Sequence, residues 1–472
     1  MNQLYYGDNL TFMRDKMKNE SVDLVYLDPP FNSNRSYNLL YKTATGVAVP
    51  EQEEAFCDTW ELTETKAQIL RKVEIIFDEH GIPRDALNFW RLWIDALRNT
   101  QPKLLAYLVY MAYRILELRR ILRPTGSIYL HCDPTASHYI KVMMDIIFGD
   151  DNFRNEIVWC FSGGGIPRND FPRKHQVILR YSRGKDVVFN VEYKPYKENT
   201  QSVGKHSTLS GGKAIDLARG TPITDWWTDI KTVTGWHPEN LGYPTQKPID
   251  LLSRIIKASS NEGDIVFDPF CGCGTAIYAA HLNNRHWIGC DIAILSIRLV
   301  RDVLEKRYSL KDGVDYQTDG VPLSVEGARE LFHSDPHQFQ NWAVELAGGF
   351  CTHQKSGDKG VDGRIHFEVG TEYRNMVLSV KGGKSIQPAH IRELRGVLER
   401  EDSIMGGFIC LSNPTRGMIA EATNAGQYEY EGRAYDRLQI RTIDQLLNGL
   451  GFDTPTQVQT LNWERQLRLF NL

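Results

Sequence analysis

Across the first two-thirds of the chain, short runs that are almost wholly apolar alternate with longer helix-like stretches. Ser21 to Leu27 is one such run, and its near-continuous apolar character reads as a strand buried on both faces. Leu104 to Leu122 carries a long apolar helical pattern that stops before Arg123-Pro124, and Gly126 to Leu130 reads as the next buried strand. Ile140 to Phe148 reads as a helix, Asp264 to Phe267 as a third strand and Trp287 to Cys290 as a fourth. A small-residue helix running to Leu282 separates the last two. Strands that alternate with helices predict a parallel sheet covered by helices on both faces.

A basic, irregular segment interrupts this alternation. It opens just after three glycines at 163–165, holds several prolines and shows no clean period. Gly165 to Gly220 contains eleven Lys or Arg against five Asp or Glu, a local charge of +6 inside a chain whose formal net charge is −4. Such a window is either a solvated surface or the footprint of a polyanion. Beyond Arg307 the pattern breaks again. Residues 311–327 are polar, with glycines at 313, 320 and 327, and read as a linker. A new amphipathic helix begins near Pro336, residues 331–450 read as a second α/β unit, and the tail 451–472 ends in an Arg/Leu-rich stretch.

The 472 residues allow for roughly three domain-sized units. Apolar residues at 42% and charged residues at 24% exclude a fully disordered or collagen-like chain. The longest apolar run, Leu104 to Tyr113, is ten residues, short of the about 18 that a spanning helix needs, so no membrane span is expected. Met1 to Asp8 shows no basic segment followed by an apolar one, so no signal peptide is expected. Eight cysteines are too few for a disulfide scaffold, and Cys271 and Cys273 lack zinc-site spacing. Reduced thiols and a cytoplasmic location are therefore expected.

Two strand ends carry chemistry. Asp268-Pro269-Phe270-Cys271-Gly272-Cys273-Gly274-Thr275 follows a strand and opens a helix. Closely spaced glycines there let the backbone approach a ligand and turn amide N–H groups toward it. Asp291 stands seventeen residues after Gly274, where nucleotide-type folds place an acid on ribose hydroxyls. The third glycine of the dinucleotide fingerprint is missing, which favours a nucleoside ligand without a pyrophosphate. A lone turn of this kind would equally suit a helix-capping aspartate.

Asp28-Pro29-Pro30-Phe31 closes the first buried strand. Two prolines fix the backbone and remove two donors, leaving carbonyls outward between a carboxylate and an aromatic ring. This set suits a planar ligand with an exocyclic amino group: Asp28 and a proline carbonyl accept the amino hydrogens while Phe31 stacks on the ring. An adenine amino nitrogen is a poor nucleophile because its lone pair is delocalised, and two acceptors on its hydrogens draw it toward a tetrahedral geometry. A strand-ending turn with a packed Phe is the plainer alternative.

Gly7-Asp8-Asn9-Leu10, Asp28 to Phe31, the basic insertion, Tyr243-Pro244-Thr245-Gln246-Lys247-Pro248 and Asp268 to Thr275 together resemble, in that order, the β-class amino-group DNA methyltransferases over residues 1–308. The resemblance implies a Rossmann-like α/β methyltransferase sheet with an inserted target-recognition region at about 153–240, S-adenosylmethionine as cofactor, and double-stranded DNA as partner. It implies Asp28, Pro29, Pro30 and Phe31 as the catalytic tetrapeptide. Asp268, Phe270, Gly272, Gly274 and Asp291 would line the cofactor pocket, with Asp8 and Lys247 near it. The Asp-Pro-Pro-Phe form points to N6 of adenine; N4 of cytosine and an RNA substrate are the alternatives. Arg173-Lys174-His175 and the strand after it resemble the stretch beside the recognition region. A target amino group inside the duplex must be flipped out, and the basic window would hold the phosphates.

In the C-terminal unit, Gly357 to Gly363 precedes a strand-like segment, and Lys381 follows Asp362 by nineteen residues at the end of Met376 to Val380. An aspartate, a strand-end lysine and a helical glutamate, Glu345, can gather around Mg²⁺ at a scissile phosphate. An ordinary charged hairpin would read alike. With Val380-Lys381-Gly382-Gly383 and Ile443-Asp444, residues 335–446 resemble the Mrr-like restriction endonuclease domains, which implies a smaller nuclease-like α/β domain at 331–450 joined by a linker at 309–330. Asp362 and Lys381 would be catalytic, and Glu345 and Asp362 the metal ligands. Ser379 stands where that family has an acidic residue or Gln, and serine is a poor metal ligand. Either Glu345 completes the site or the domain binds DNA without cutting it. A restriction–modification enzyme is the expectation, with a homodimer as a further one and no membrane partner.

Overall fold

In the computed structural model, the described residues are 2–29, 36–39, 53–57, 66–132, 136–162, 167–196, 219–234, 237–241, 243, 245–351, 360–370 and 372–457. A nine-stranded sheet dominates the first unit. Its order is Trp226–Trp227, Phe153–Cys160, His175–Ser182, Leu122–Cys132, Val22–Leu27, Ile265–Asp268, His286–Asp291, Asn2–Tyr6 and Tyr316–Asp319. All neighbours pair in parallel except those flanking His175–Ser182, which runs against the rest. The expected α/β sheet is thus present.

Val22–Leu27 is buried at all six positions. Leu24 and Tyr26 enter the core on one face, while Val25 and Leu27 enter the core on the other. Each buried Leu or Val side chain is worth about 1.5–3 kcal/mol, so this strand is held from both sides. Asp23 is buried among them because both its oxygens are used: Arg123 Nη1 donates at 2.6 Å and the Ile265 amide at 2.8 Å. The helix Pro102–Ile121 covers one face with fourteen buried residues. Proline at its start needs no amide donor there, and Arg119 and Arg120 oppose the negative end of its last turn.

The stretch 309–330, expected to be a linker, is structured. Tyr316–Asp319 pairs in parallel with Asn2–Tyr6 and forms the edge of the large sheet, and the helix Val325–Ser334 follows, capped by Ser324, which accepts from the Gly327 amide at 3.1 Å. Of the four strand residues only Tyr316 is buried, so a polar edge strand shows almost no apolar signal. Three segments of the proposed insertion at about 153–240 likewise belong to the sheet: Phe153–Cys160 at its start, His175–Ser182 and Trp226–Trp227.

The second unit has the strand order Phe350–Cys351, Gly363–Val369, Glu372–Lys381, Met405–Cys410 and Leu438–Thr442, with Thr456–Gln457 also pairing to Gly363–Val369. Helices Pro388–Arg400 and Arg416–Thr423 cover one face. The helix Pro336–Leu346 covers the other; Asp335 caps it by accepting from the His337 and Gln338 amides at 3.1 and 2.9 Å. One continuous core runs from Leu4 and Tyr6 of the first sheet through Phe339 and Trp342 to Met376 and Leu378 of the second. No described helix is long and apolar enough to cross a membrane. The seven described cysteines with placed side chains are all free thiols.

Candidate active site

Asn2–Tyr6, Val22–Leu27, Ile265–Asp268 and His286–Asp291 are parallel, and the last three adjoin in that order with Asn2–Tyr6 beyond them. Their carboxyl ends therefore open on one edge, where α/β sheets hold ligands. Val25 faces Phe267 and Asp268 faces Gly289, while Tyr6 faces Asp291. Asp8, Asp28, Asp268 and Asp291 are thus gathered from sequence positions as much as 283 residues apart, and the bend after Leu27 lies beside the turn after Asp268. Pro29 is buried in that bend; Pro30 and Phe31 lie outside the described residues.

The turn itself is built on glycine. Gly272 has φ +49° and Gly274 φ +85°, and a Cβ at Gly274 would stand 2.8 Å from both Tyr278 Oη and Val300 Cγ2. Asp291 anchors the turn: Oδ2 accepts from the Gly272 amide at 2.8 Å and Oδ1 from the Ala293 amide at 2.9 Å. The Ser296 side chain and the Ile292 amide also donate to this carboxylate. Asp268 is buried, accepts from the Phe270 amide at 3.0 Å, and is held well above the ordinary carboxylate range, chiefly by burial. Burial also raises Asp291.

Asp8 caps the helix Asn9–Lys16, accepting from the Thr11 amide at 3.0 Å, and pairs with Arg114 Nη2 at 2.5 Å. Arg114 also donates from Nε to Asn9 Oδ1 at 2.6 Å, and Asn9 donates to the Pro269 carbonyl at 2.7 Å. Its guanidinium lies 3.4 Å from the Tyr110 ring centroid, and that ring is 6.5 Å from Phe270. By sequence Asn9 has a place in a motif but no role, and Arg114 has neither. The signal for Arg114 was available: it is the charge that ends the ten-residue apolar run, and a buried charge needs partners.

Lys247, expected near the cofactor, is buried and its ammonium pairs with Asp28 Oδ2. It also donates to the Thr245 carbonyl at 3.3 Å. Asp28 Oδ1 is enclosed and accepts no hydrogen bond from the described residues. Burial raises the Asp28 carboxyl, against the charge and hydrogen bond of Lys247. Behind it, Tyr26 Oη lies 3.0 Å from His131 Nδ1, and His131 Nε2 lies 2.9 Å from Gln176 Oε1. Burial and the nearby Lys247 charge push His131 well below its ordinary value, so its ring is neutral.

In the second unit, Gly363 faces Leu378, which sets Asp362 opposite Ser379, two residues before Lys381. Asp362 Oδ2 accepts from the Val380 amide at 2.7 Å. Glu345 Oε1 lies 3.8 Å from Cys351 Sγ; burial, with the Glu345 charge second, raises Tyr6 in the first sheet. No three His, Cys, Asp or Glu side chains among the described residues are grouped where they could hold a metal ion. The expected Mg²⁺ set of Glu345 and Asp362 therefore gains no third ligand there. Position 379 supplies a hydroxyl where an acidic residue or Gln is expected.

A family model described as DNA methylase, of the N6/N4 methyltransferases, matches residues 22–301, more than half the chain. The chain belongs to this DNA methylase family. Its substrate class is accordingly DNA. The family's region contains Asp28, Lys247, Asp268 and Asp291, and its far end falls inside the helix Ile294–Tyr308. Residues 336–448 match a second family model, NACHT-associated inactive Restriction Endonuclease 1, so the C-terminal unit is restriction-endonuclease-like. The chain is 26% identical to the type II methyltransferase M.EcaI of Enterobacter cloacae, over 71% of this chain and 77% of that one. It is 25% identical to M.BamHI of Bacillus amyloliquefaciens over 62% of its own length, but spans only 55% of that relative. It is also 25% identical to the DNA adenine methyltransferase YhdJ of Escherichia coli, over 62% and 78%.

Proposed function

We propose that this DNA methylase transfers a methyl group from S-adenosylmethionine to the N6 amino group of adenine in duplex DNA. The observation that carries the reading is Asp28: one oxygen held by Lys247, the other enclosed and open to a donor, beside the turn of Gly272 and Gly274. When bound, S-adenosylmethionine supplies an electrophilic methyl on its sulfonium. Asp291, at the end of the neighbouring strand, would hold the ribose hydroxyls, and the amides around Gly272 and the Phe270 ring would line the pocket. Asp8, fixed by Arg114, closes its other side. Asp28 Oδ1 accepts one amino hydrogen of the extruded base and draws the nitrogen toward a tetrahedral geometry. The Lys247 charge opposes the burial that raises the Asp28 carboxyl and so favours the ionised form that this task needs. Adenine over cytosine is favoured by the Asp28-Pro29-Pro30-Phe31 tetrapeptide. Full-length protein incubated with labelled S-adenosylmethionine and unmodified plasmid DNA is expected to place label on N6-methyladenine. Label on N4-methylcytosine overturns the base assignment, and no label overturns the activity.

For the C-terminal unit, Ser379 in place of an acidic residue or Gln favours a module that holds DNA without cutting it. Supercoiled plasmid incubated with the protein and Mg²⁺ is expected to be retarded in a gel but not nicked. Nicking that disappears in Lys381→Ala would establish the nuclease instead.

A further inference from the structure

Phe171 is the most exposed large apolar side chain among the described residues, at 95%. An isolated exposed apolar residue needs no explanation by itself. Its position does call for one. Phe153–Cys160 runs in the same direction as Val22–Leu27, so the loop that follows Cys160 opens on the same sheet edge as Asp28. The loop is closed at its base by the Phe161 amide, which donates to the Lys174 carbonyl at 2.9 Å. Directly below, Gln176 contacts His131 and His131 contacts Tyr26, two residues before Asp28. The loop is thereby registered to the catalytic strand through buried polar contacts.

Two or three strand spacings separate the loop from that strand, about 10–14 Å, a distance comparable to the roughly 12 Å width of a DNA major groove. Arg168, Arg173 and Lys174 flank Phe171 on the loop against one acid, Asp170, and Arg168, Phe171 and Arg173 are all exposed. Pro172 fixes the backbone immediately after the ring. An exposed aromatic on a basic loop, on the sheet edge that must receive an extruded base, matches the apolar wedges that enter a base stack and hold it open.

Resting on the methyltransferase reading above, we propose that Phe171 inserts into the duplex at the position the target base leaves, with Arg168 and Arg173 on the adjoining phosphates. The wedge stabilises the extruded state, so its loss matters only where the target base is paired and stacked.

The test uses full-length protein and a duplex taken from the plasmid segment that the wild-type protein methylates, in two forms: fully matched, and with an abasic site opposite the target base. Phe171→Ala is expected to lower kcat/KM on the matched duplex by roughly 10- to 100-fold, the range a lost base–aromatic stack corresponds to. On the abasic duplex, where pairing no longer opposes extrusion, the loss is expected to vanish. Phe171→Trp is expected to retain activity on both, and the melting temperature and S-adenosylmethionine affinity of Phe171→Ala to stay at wild-type values. Equal losses on the two duplexes, or none on the matched one, would overturn the wedge. Wild-type protein that transfers no methyl group to any DNA overturns the underlying methyltransferase reading, and that result is distinct because it involves no variant.

Discussion

The ammonium of Lys247 is paired with the carboxylate of Asp28 across 219 residues of sequence, and both groups are largely withdrawn from water. Removing one member of such a pair leaves the other buried and uncompensated, a change worth about 3–5 kcal/mol when burial is complete. Lys247→Met is therefore expected to destabilise the fold measurably in urea unfolding and to cut methyl transfer.

The same pair determines a pH dependence. Burial raises the Asp28 carboxyl and Lys247 opposes the rise. Transfer needs the ionised carboxylate, so activity falls as pH drops through a value above the ordinary aspartate range. In Lys247→Met the opposing charge is gone, and this acid limb moves to higher pH. A profile of kcat/KM against pH for both proteins checks the direction; an unmoved limb would assign it to another group.

Asp28→Ala removes the enclosed acceptor oxygen without touching the glycine turn. Transfer is expected to fall by at least about 100-fold, as when a positioned acceptor or donor is lost from a reacting centre. S-adenosylmethionine binding, followed by calorimetry, is expected to persist. Loss of binding instead would place Asp28 in the cofactor pocket.

Gly274→Ala adds a methyl group at φ +85° that meets Tyr278 Oη and Val300 Cγ2 at 2.8 Å. Backbone strain of this kind costs about 1–3 kcal/mol. The variant is expected to melt at a lower temperature and to bind S-adenosylmethionine poorly, whereas Gly263→Ala, where φ is also positive but nothing lies within 4 Å of the added methyl, should leave binding intact.

Glu117 offers a test of stability far from the reaction. Burial works to raise its carboxyl, but hydrogen bonds from His80 and Arg120 and their charges prevail and hold it at about 2. A depressed carboxyl stabilises the fold above its unfolded value of 4.5, and that contribution is lost as pH falls toward about 2. Glu117→Gln is expected to be less stable by about 3 kcal/mol at neutral pH. The difference from wild type should shrink as unfolding is measured at progressively lower pH.

Much of this protein was legible in one dimension. The strand Val22–Leu27 announced itself because burial on both faces demands an unbroken apolar run, and the glycines at 272 and 274 because a left-handed turn excludes side chains. Tyr316–Asp319 stayed hidden for the converse reason: an edge strand with one buried residue looks like any polar segment. Likewise the serine at 379 was visible, but its place opposite Asp362 came only from register.

What the sequence determined by itself is the set of local geometries, because apolar period, proline and glycine act on the few residues around them. Which groups face one another was decided only by the tertiary structure. Lys247 finds Asp28 beside the glycine turn, Arg114 joins Asp8 to Asn9, and Glu345 meets Cys351. These pairings follow from strand order and helix packing, which bring together charges that cannot stay buried alone, and no local pattern encodes that partnership.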